Sequence, residues 1–325
     1  MDGRSMKIGV KTVSGLEDLG LSLPGADLSF TLLAPGPCDG RTLTTTVAGL
    51  HVHSGVLRAD LRARGRMAGE HVTLGMIIEA TGQVRQWQHY ADAGDVCVFP
   101  PGQDQEGTYR GTVVYATVAL TEAELRDAAA AWPCIDIDRL LLLGSLYRAG
   151  PQVRMAALQK LRAALTMLES FGGSLSPRAE DLLRGELLDA FLAPLADAMA
   201  GPRVASLNLG GAEVVRRVED YLLVANREFV DVATICGALN LPRRTLARAF
   251  RETLGVGPMT YLRLMRLSAA RRALAAAGTE DSVTEIALAH GFHELGRFAQ
   301  LYRRMFDETP SDTLRRRMAE PGAAA

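Results

Sequence analysis

Val230–Gly255, VDVATICGALNLPRRTLARAFRETLG, reads as a short apolar-faced helix, a tight turn and a second helix rich in arginine. Ser282–Met305, SVTEIALAHGFHELGRFAQLYRRM, repeats that pattern. A two-helix unit used twice in one basic stretch is how a chain holds the DNA major groove at two places. In the first unit Leu246 and Phe250 anchor the second helix, which leaves Arg243, Arg244, Ala247 and Arg248 on the opposite face. Arginine bonds guanine bidentately and also pairs with phosphate. In the second unit Phe298, Leu301 and Tyr302 face inward, Arg297 and Gln300 face outward, and His293 and Glu294 open the helix. Glutamine suits adenine. One such helix alone would read as a solvated face. Its repetition favours nucleic acid.

The charge distribution agrees. The 325-residue chain has a formal net charge of −1. Residues 213–318, however, hold 17 arginines against 13 acids, while the remainder carries 19 basic and 24 acidic residues. The four cysteines, Cys38, Cys97, Cys134 and Cys236, are scattered with no CxxC pair, which suits reduced, mostly buried thiols. The N-terminus has no apolar signal core, and no apolar run approaches the roughly 20 residues of a membrane span. These features predict a soluble, cytoplasmic protein with no membrane partner.

Working outward from the repeated unit, residues 213–318 read as seven helices. Glu213–Asn226 leads, with Val214, Val215, Val218, Leu222 and Leu223 inward, and Val232–Ala238 and Pro242–Leu254 form the first unit. Pro258–Ala277 connects, Val283–His290 and Glu294–Phe306 form the second unit, and Pro310–Met318 closes. Before them Ala200–Gly211 is small and turn-rich, a linker composition. Residues 121–199 have helical period: a capping-box spacing at Thr121 and Glu124, then Asp136–Arg148, Pro151–Phe171 and Arg178–Met199. The last two carry apolar stripes at Val153, Ala156, Ala157, Leu161, Leu165 and Leu168, and at Leu182, Leu183, Leu187, Phe191 and Leu195. Intramolecular packing and pairing with a second copy both explain these stripes. Residues 6–120 have strand period, clearest in HVTLGMIIE (His71–Glu79), TVVYATVAL (Thr112–Leu120) and GDVCVFPPG (Gly94–Gly102). Short strands divided by Gly, Pro and Asp clusters predict a barrel or sandwich.

The segments RRTLARAFRETLGVGPMTYLRLMRLSAARRAL, VTEIALAHGFHELGRFAQLYRRMF and ETPS resemble the AraC family of bacterial transcription regulators. The family spacing of Leu246, Phe250, Gly255, Pro258, Tyr261, Arg266, Ala270 and Leu274 is kept, as is that of Ile286, Ala287, Gly291, Phe292, Phe298 and Pro310. The stretch HELGRFAQLYRRMFDETPSDTLRRRM is most similar to the ethanolamine-utilisation regulator subgroup. The resemblance implies two helix-turn-helix units joined by a long helix, with double-stranded promoter DNA and RNA polymerase as partners and an activator's role. It puts Arg243, Arg244, Ala247 and Arg248 at reading positions of the first unit, and His293, Leu295, Gly296, Arg297 and Gln300 at those of the second. Three departures stand out. Pro242 replaces a capping Ser, which leaves Asn240 as the expected cap. Leu295–Gly296 replaces a polar pair, and Thr313–Leu314 stands where Tyr-Arg is usual.

The N-terminal half resembles the family's cupin-like effector domains, with GDVCVFPPG the best local likeness. Trp87, His89, Tyr109 and Tyr115 are candidates to line a small-molecule effector cavity. A cupin metal site needs an HxH pair followed closely by Glu. His51–Val52–His53 supplies the pair without the Glu, so no metal is expected and the pair reads as strand ornament. No cofactor, nucleophile triad or phosphate loop is visible, so no enzyme is expected.

The expected fold is α+β. It comprises a cupin-like effector barrel (6–120), a helical, dimer-forming region (121–199), a linker (200–211) and an all-α DNA-binding domain of two helix-turn-helix units (212–318). The expected function is an effector-controlled, sequence-specific regulator. Two rivals stay open: a constitutive regulator whose barrel serves only dimerisation, and a metal-dependent cupin enzyme fused to a DNA-binding domain.

Overall fold

The alternating runs before Leu120 form antiparallel strands in the computed structural model, which describes residues 7–21, 26–142, 144–171, 175–201, 210–224, 230–278 and 280–319. β1 (Gly9–Val13) leads through a 3-10 helix (Leu16–Leu21) to β2 (Asp27–Leu32), β3 (Asp39–Val47), β4 (Leu50–Arg58), β5 (Leu61–Arg66) and β6 (Val72–Ala80). β7 (Val84–Gln86), β8 (His89–Ala91), β9 (Val96–Phe99), β10 (Asp104–Tyr109) and β11 (Thr112–Leu120) follow. Then come α1 (Glu122–Ala129), α2 (Ile137–Leu142), β12 (Ser145–Tyr147), α3 (Pro151–Phe171) and α4 (Pro177–Ala200). The strands build two sheets, in the orders β1-β3-β4-β11-β6-β9-β12 and β2-β5-β10-β7-β8.

Period-two alternation gives each sheet two different faces. On the seven-stranded sheet Val52, Leu74, Met76, Val96, Val98 and Val118 pack against α3 and α4 through Leu161, Leu168, Leu187, Phe191 and Leu195. The helical pair is therefore packed within the chain. Leu182, expected in that stripe, is instead 67% exposed, and Ala156 is exposed too. The capping box at Thr121 forms as its spacing predicts: its side chain accepts from the Glu124 N–H, and the Glu124 carboxylate accepts from the Thr121 N–H.

Asp136–Arg148 is not one helix. α2 stops at Leu142, and β12 then pairs with β9, Leu146 opposite Cys97. The chain passes beneath Trp87 at Gly144, where a Cβ would come within 2.5 Å of the indole, so only glycine fits. Pairing satisfies the edge of β9, a gain that helical period does not report. Beyond β12, Asp95 is fully buried and accepts from Arg148 Nη2 at 2.6 Å and Arg154 Nη1 at 3.3 Å, which ties the β8–β9 turn to the start of α3. Of the four thiols Cys97 is buried and Cys134 is exposed, contrary to a mostly buried set.

The C-terminal helices are α5 (Gly210–Val224), α6 (Val232–Leu239), α7 (Arg243–Leu254), α8 (Pro258–Ala276), α9 (Val283–Ala289), α10 (Leu295–Phe306) and α11 (Pro310–Ala319). Most of the expected linker 200–211, residues 202–209, lies outside the described residues, as do 225 and 226 of the first expected helix. Leu223, expected inward, is 72% exposed. α8 lies against β2 and the 3-10 helix, so the molecule is layered: α3–α4, the seven-stranded sheet, the five-stranded sheet, and the C-terminal helices.

Removing the Asp95 carboxylate leaves two partly buried guanidinium groups without their shared acceptor. Asp95→Ala should lower the unfolding free energy by about 3 kcal/mol in urea denaturation, and a change within about 0.5 kcal/mol would contradict this role.

Candidate nucleic-acid interface and sensor cavity

Each helix-turn-helix unit is built by a capped supporting helix and an uncapped second helix. Asp231 caps α6, accepting from the Thr234 N–H at 2.7 Å, and Ser282 with Glu285 forms a capping box on α9. By contrast Pro242 before α7 and Glu294 before α10 make no side-chain cap bond. Asn240 does not cap α7; it sits in the left-handed conformation (φ 49°) and closes α6. The first-turn N–H groups of α7 and α10 therefore have no side-chain cap, at the ends where a helix favours anions.

Leu246, Ala249, Phe250 and Leu254 bury one face of α7, and Phe250 stacks edge-on to Tyr261 of α8 at 5.4 Å. Arg243, Arg244 and Arg248 are exposed and Ala247 is half-buried. On α10, Phe298, Tyr302 and Met305 are buried in a run of rings with Phe292 and Phe306. His293, Leu295, Gly296, Arg297 and Gln300 are all exposed. Thr313 is buried and its hydroxyl meets the Tyr302 hydroxyl at 2.7 Å, so this departure from the family pattern is a packing feature of the second unit. Between the two units runs a groove lined by Asp231, Arg263, Arg266, His293, Glu294 and Arg297. Arg266 was named only for its place in the family spacing, and Arg263 was not singled out. The available signal was an arginine at 263 set between the apolar Leu262 and Leu264 of the connecting helix.

A cavity of about 130 Å³ lies between the two sheets. Of the four sensor candidates, Tyr109 and Tyr115 line it. Trp87 stands behind, against the lining residue Phe99 at 5.1 Å, and His89 on β8 is not among the lining residues. His53, expected as strand ornament, lines the cavity as well, as do Gln86 and Gln105, which nothing in the sequence had marked. The Tyr109 hydroxyl donates to Gln86 Oε1 at 3.2 Å and Gln86 Nε2 donates to Gln105 Oε1 at 3.1 Å. His53 is 6% exposed and, among the described residues, neither ring nitrogen has a hydrogen-bond partner. Burial pushes its pKa down from 6.5 to about 4 and pushes both tyrosine phenols up, so all three are neutral near pH 7. His51 of the same strand is exposed and meets His71 edge-on. Among the described residues no group of three or more His, Cys, Asp or Glu is placed to hold a metal.

Residues 235–316 match the family described as helix-turn-helix domain. The C-terminal third is an AraC-family DNA-binding domain. The chain is similar to the XylDLEGF operon transcriptional activator 1 of Pseudomonas putida, 26% identical over 239 residues, covering 71% of this chain and 67% of the relative. It is similar also to the HTH-type transcriptional activator RhaS of Citrobacter koseri, 30% identical over 169 residues, covering 51% and 57%. A solved probable AraC family transcriptional regulator from Rhodopseudomonas palustris is 35% identical, covers 32% of this chain and 97% of its own, and has a TM-score of 0.30.

The AraC-type domain is clamped to the five-stranded sheet by charge. Arg62 of β5, 3% exposed, donates to Glu106 of β10 at 2.6 Å and to Glu219 of α5 at 2.8 and 3.2 Å. The Tyr261 hydroxyl also donates to Glu219, and Arg64 pairs with Asp220. Burial alone would push the Arg62 guanidinium down. Glu219 and Glu106 outweigh it and hold it charged. Arg85 and Arg110 donate to the Thr253 and Leu254 carbonyls, the negative end of α7. A second clamp reaches the other unit. Arg271 of α8 bonds Glu17 of the 3-10 helix at 2.8 Å and Glu308, just beyond α10, at 2.8 Å.

His53 makes a pH dependence. Between pH 6.5 and 4 the unfolded chain binds a proton at this residue that the folded chain refuses, so stability falls as pH drops through that window. Wild type should lose roughly 3 kcal/mol more than His53→Phe between pH 7 and 4, read from denaturation curves. Parallel losses in the two proteins would show that His53 is not buried neutral.

Proposed function

We propose that this chain is a sequence-specific transcriptional activator that binds promoter DNA through its two helix-turn-helix units and is controlled by a small-molecule effector held between its sheets. The observation that carries the DNA reading is the pair of uncapped helices, each buried on one face and presenting arginine or glutamine on the other. The names of the Pseudomonas and Citrobacter relatives support the activator's sign, with RNA polymerase as the further partner. Arg243, Arg244 and Arg248 read bases or pair with phosphate, and Ala247 lets the helix approach closely. α10 is the weaker reader. Leu295 and Gly296 occupy its first turn, so Arg297 and Gln300 carry what it reads, while His293 and the uncapped N–H groups position it on the backbone. Arg263, in the groove between the units, adds a phosphate contact.

The effector reading rests on strand alternation. On β5 Leu61 and Ala63 line the cavity while Arg62 and Arg64 clamp α5; on β10 Gln105 and Glu106 divide in the same way, and on β7 Gln86 and Arg85 do. A ligand that moves these strands moves the clamp. It controls DNA binding if it favours one of the two arrangements. Met155, Met167, Phe171 and Leu182 are exposed on α3 and α4 and offer an apolar surface to a second copy. Among the described residues no helix is long and apolar enough to cross a membrane.

A footprint over bound genomic fragments, with a salt titration of the affinity, tests the DNA reading. The expected result is a protected sequence whose affinity falls steeply with salt. Arg248→Ala should weaken specific binding about tenfold or more, and Arg297→Ala should weaken it less. A wild-type protein with no protected sequence and no salt dependence would overturn the assignment.

A further inference from the structure

The cavity between the sheets has an unusual lining for a site that must recognise something. Among the described residues that line it there is no Lys, Arg, Asp or Glu. Arg62 and Arg64 of β5 and Arg85 of β7 point to the other side of the sheet, where their partners are Glu106, Glu219, Asp220 and the Thr253 carbonyl. The polar atoms that do face the cavity are neutral and sit on both walls. On the seven-stranded side His53 presents two buried ring nitrogens without partners among the described residues, 5.4 Å in ring-centre distance from Tyr115. On the five-stranded side stands the Tyr109–Gln86–Gln105 chain. Thr73 and Thr117 add neutral hydroxyl-bearing side chains, and the rest is chiefly apolar, with Phe30, Met76, Ile77 and Phe99.

We infer that the effector is an uncharged single-ring or short-chain molecule carrying a hydroxyl, and that His53 is the side chain that binds that hydroxyl. This rests on the effector reading above. Three constraints set the class. An anion brought into this cavity would lose its hydration and meet no cation, and a cation would meet no carboxylate. The volume, about 130 Å³, is close to that of a protein cavity known to accept benzene, so about six to eight non-hydrogen atoms fit. A neutral imidazole has one donor and one acceptor nitrogen, and a hydroxyl satisfies either one. Each orphaned buried polar group is a standing cost of folding that such a ligand removes, so the hydroxyl adds affinity as well as orientation.

The experiment is calorimetric titration and thermal shift of the full-length protein at pH 7 with 3-methylphenol, benzyl alcohol, benzoate and toluene, repeated on His53→Leu. The expected result is that at least one of the two hydroxylated probes binds wild type ten times more tightly than benzoate and more tightly than toluene. His53→Leu should lose at least tenfold for the hydroxylated probe and little for toluene. A variant that still melts cooperatively and still binds toluene shows that the loss is specific to the hydroxyl. Benzoate binding as tightly as benzyl alcohol would overturn the uncharged class while leaving the effector reading intact. Equal hydroxyl affinity in wild type and His53→Leu would overturn the anchor. No binding of any of the four, nor of any member of a broader neutral and charged metabolite set, would overturn the effector reading along with it.

Discussion

Arg62 is a charge buried to 3% exposure at the boundary between the sheets and the DNA-binding helices, and its neutralisation decides how the molecule is put together. A guanidinium in that position is tolerable only when carboxylates meet it with good geometry. One of those carboxylates, Glu106, belongs to the same sheet; the other, Glu219, comes from α5. The sheet therefore cannot satisfy its own arginine fully without the AraC-type domain docked upon it. Glu219 in turn is held by the Tyr261 hydroxyl from α8, so the charge cluster joins the first two long helices of that domain to one strand pair. Arg271 repeats the logic in the opposite direction, with a helix arginine satisfied by Glu17 of the N-terminal half and Glu308 of the second unit.

Because side chains alternate along a strand, the residues that clamp are the immediate neighbours of those that line the cavity. No long chain of intermediates is needed to connect the two. Displacing Ala63 or Gln105 inward or outward displaces Arg62 or Glu106 in the same backbone motion. α3 and α4 cover the far face of the seven-stranded sheet, whereas the C-terminal helices pack on the side of the five-stranded one.

Much of this was legible in the sequence where structure is made locally. The 3.6-residue period of Leu246 and Phe250, the Thr121–Glu124 cap and the alternation of His71–Glu79 each report a short-range preference that packing then reinforces. Periodicity overreached at Leu182 and Leu223, because a helix has more apolar positions than its neighbour can cover. β12 escaped because its pairing with β9 depends on an edge left open almost fifty residues earlier. Asn240 was misassigned because the same residue type caps one helix end or turns out of another, and only the backbone angle decides. His53 read as strand ornament because its pair with His51 lacks the Glu of a metal site, whereas it lines a cavity assembled from strands far apart in sequence. The clamp was invisible for the same reason: Arg62 and Glu219 are 157 residues apart, and nothing local marks either as half of a pair.

A double-mutant cycle on Arg62→Met and Glu219→Leu, read as unfolding free energy, tests that dependence most directly. Each single change strands a buried charge, whereas the double change removes both. The double variant should therefore be more stable than the sum of the single losses predicts, by about 2 kcal/mol or more. Losses that add to within about 0.5 kcal/mol would show that the two side chains do not meet in solution and that the DNA-binding domain is not docked through Arg62.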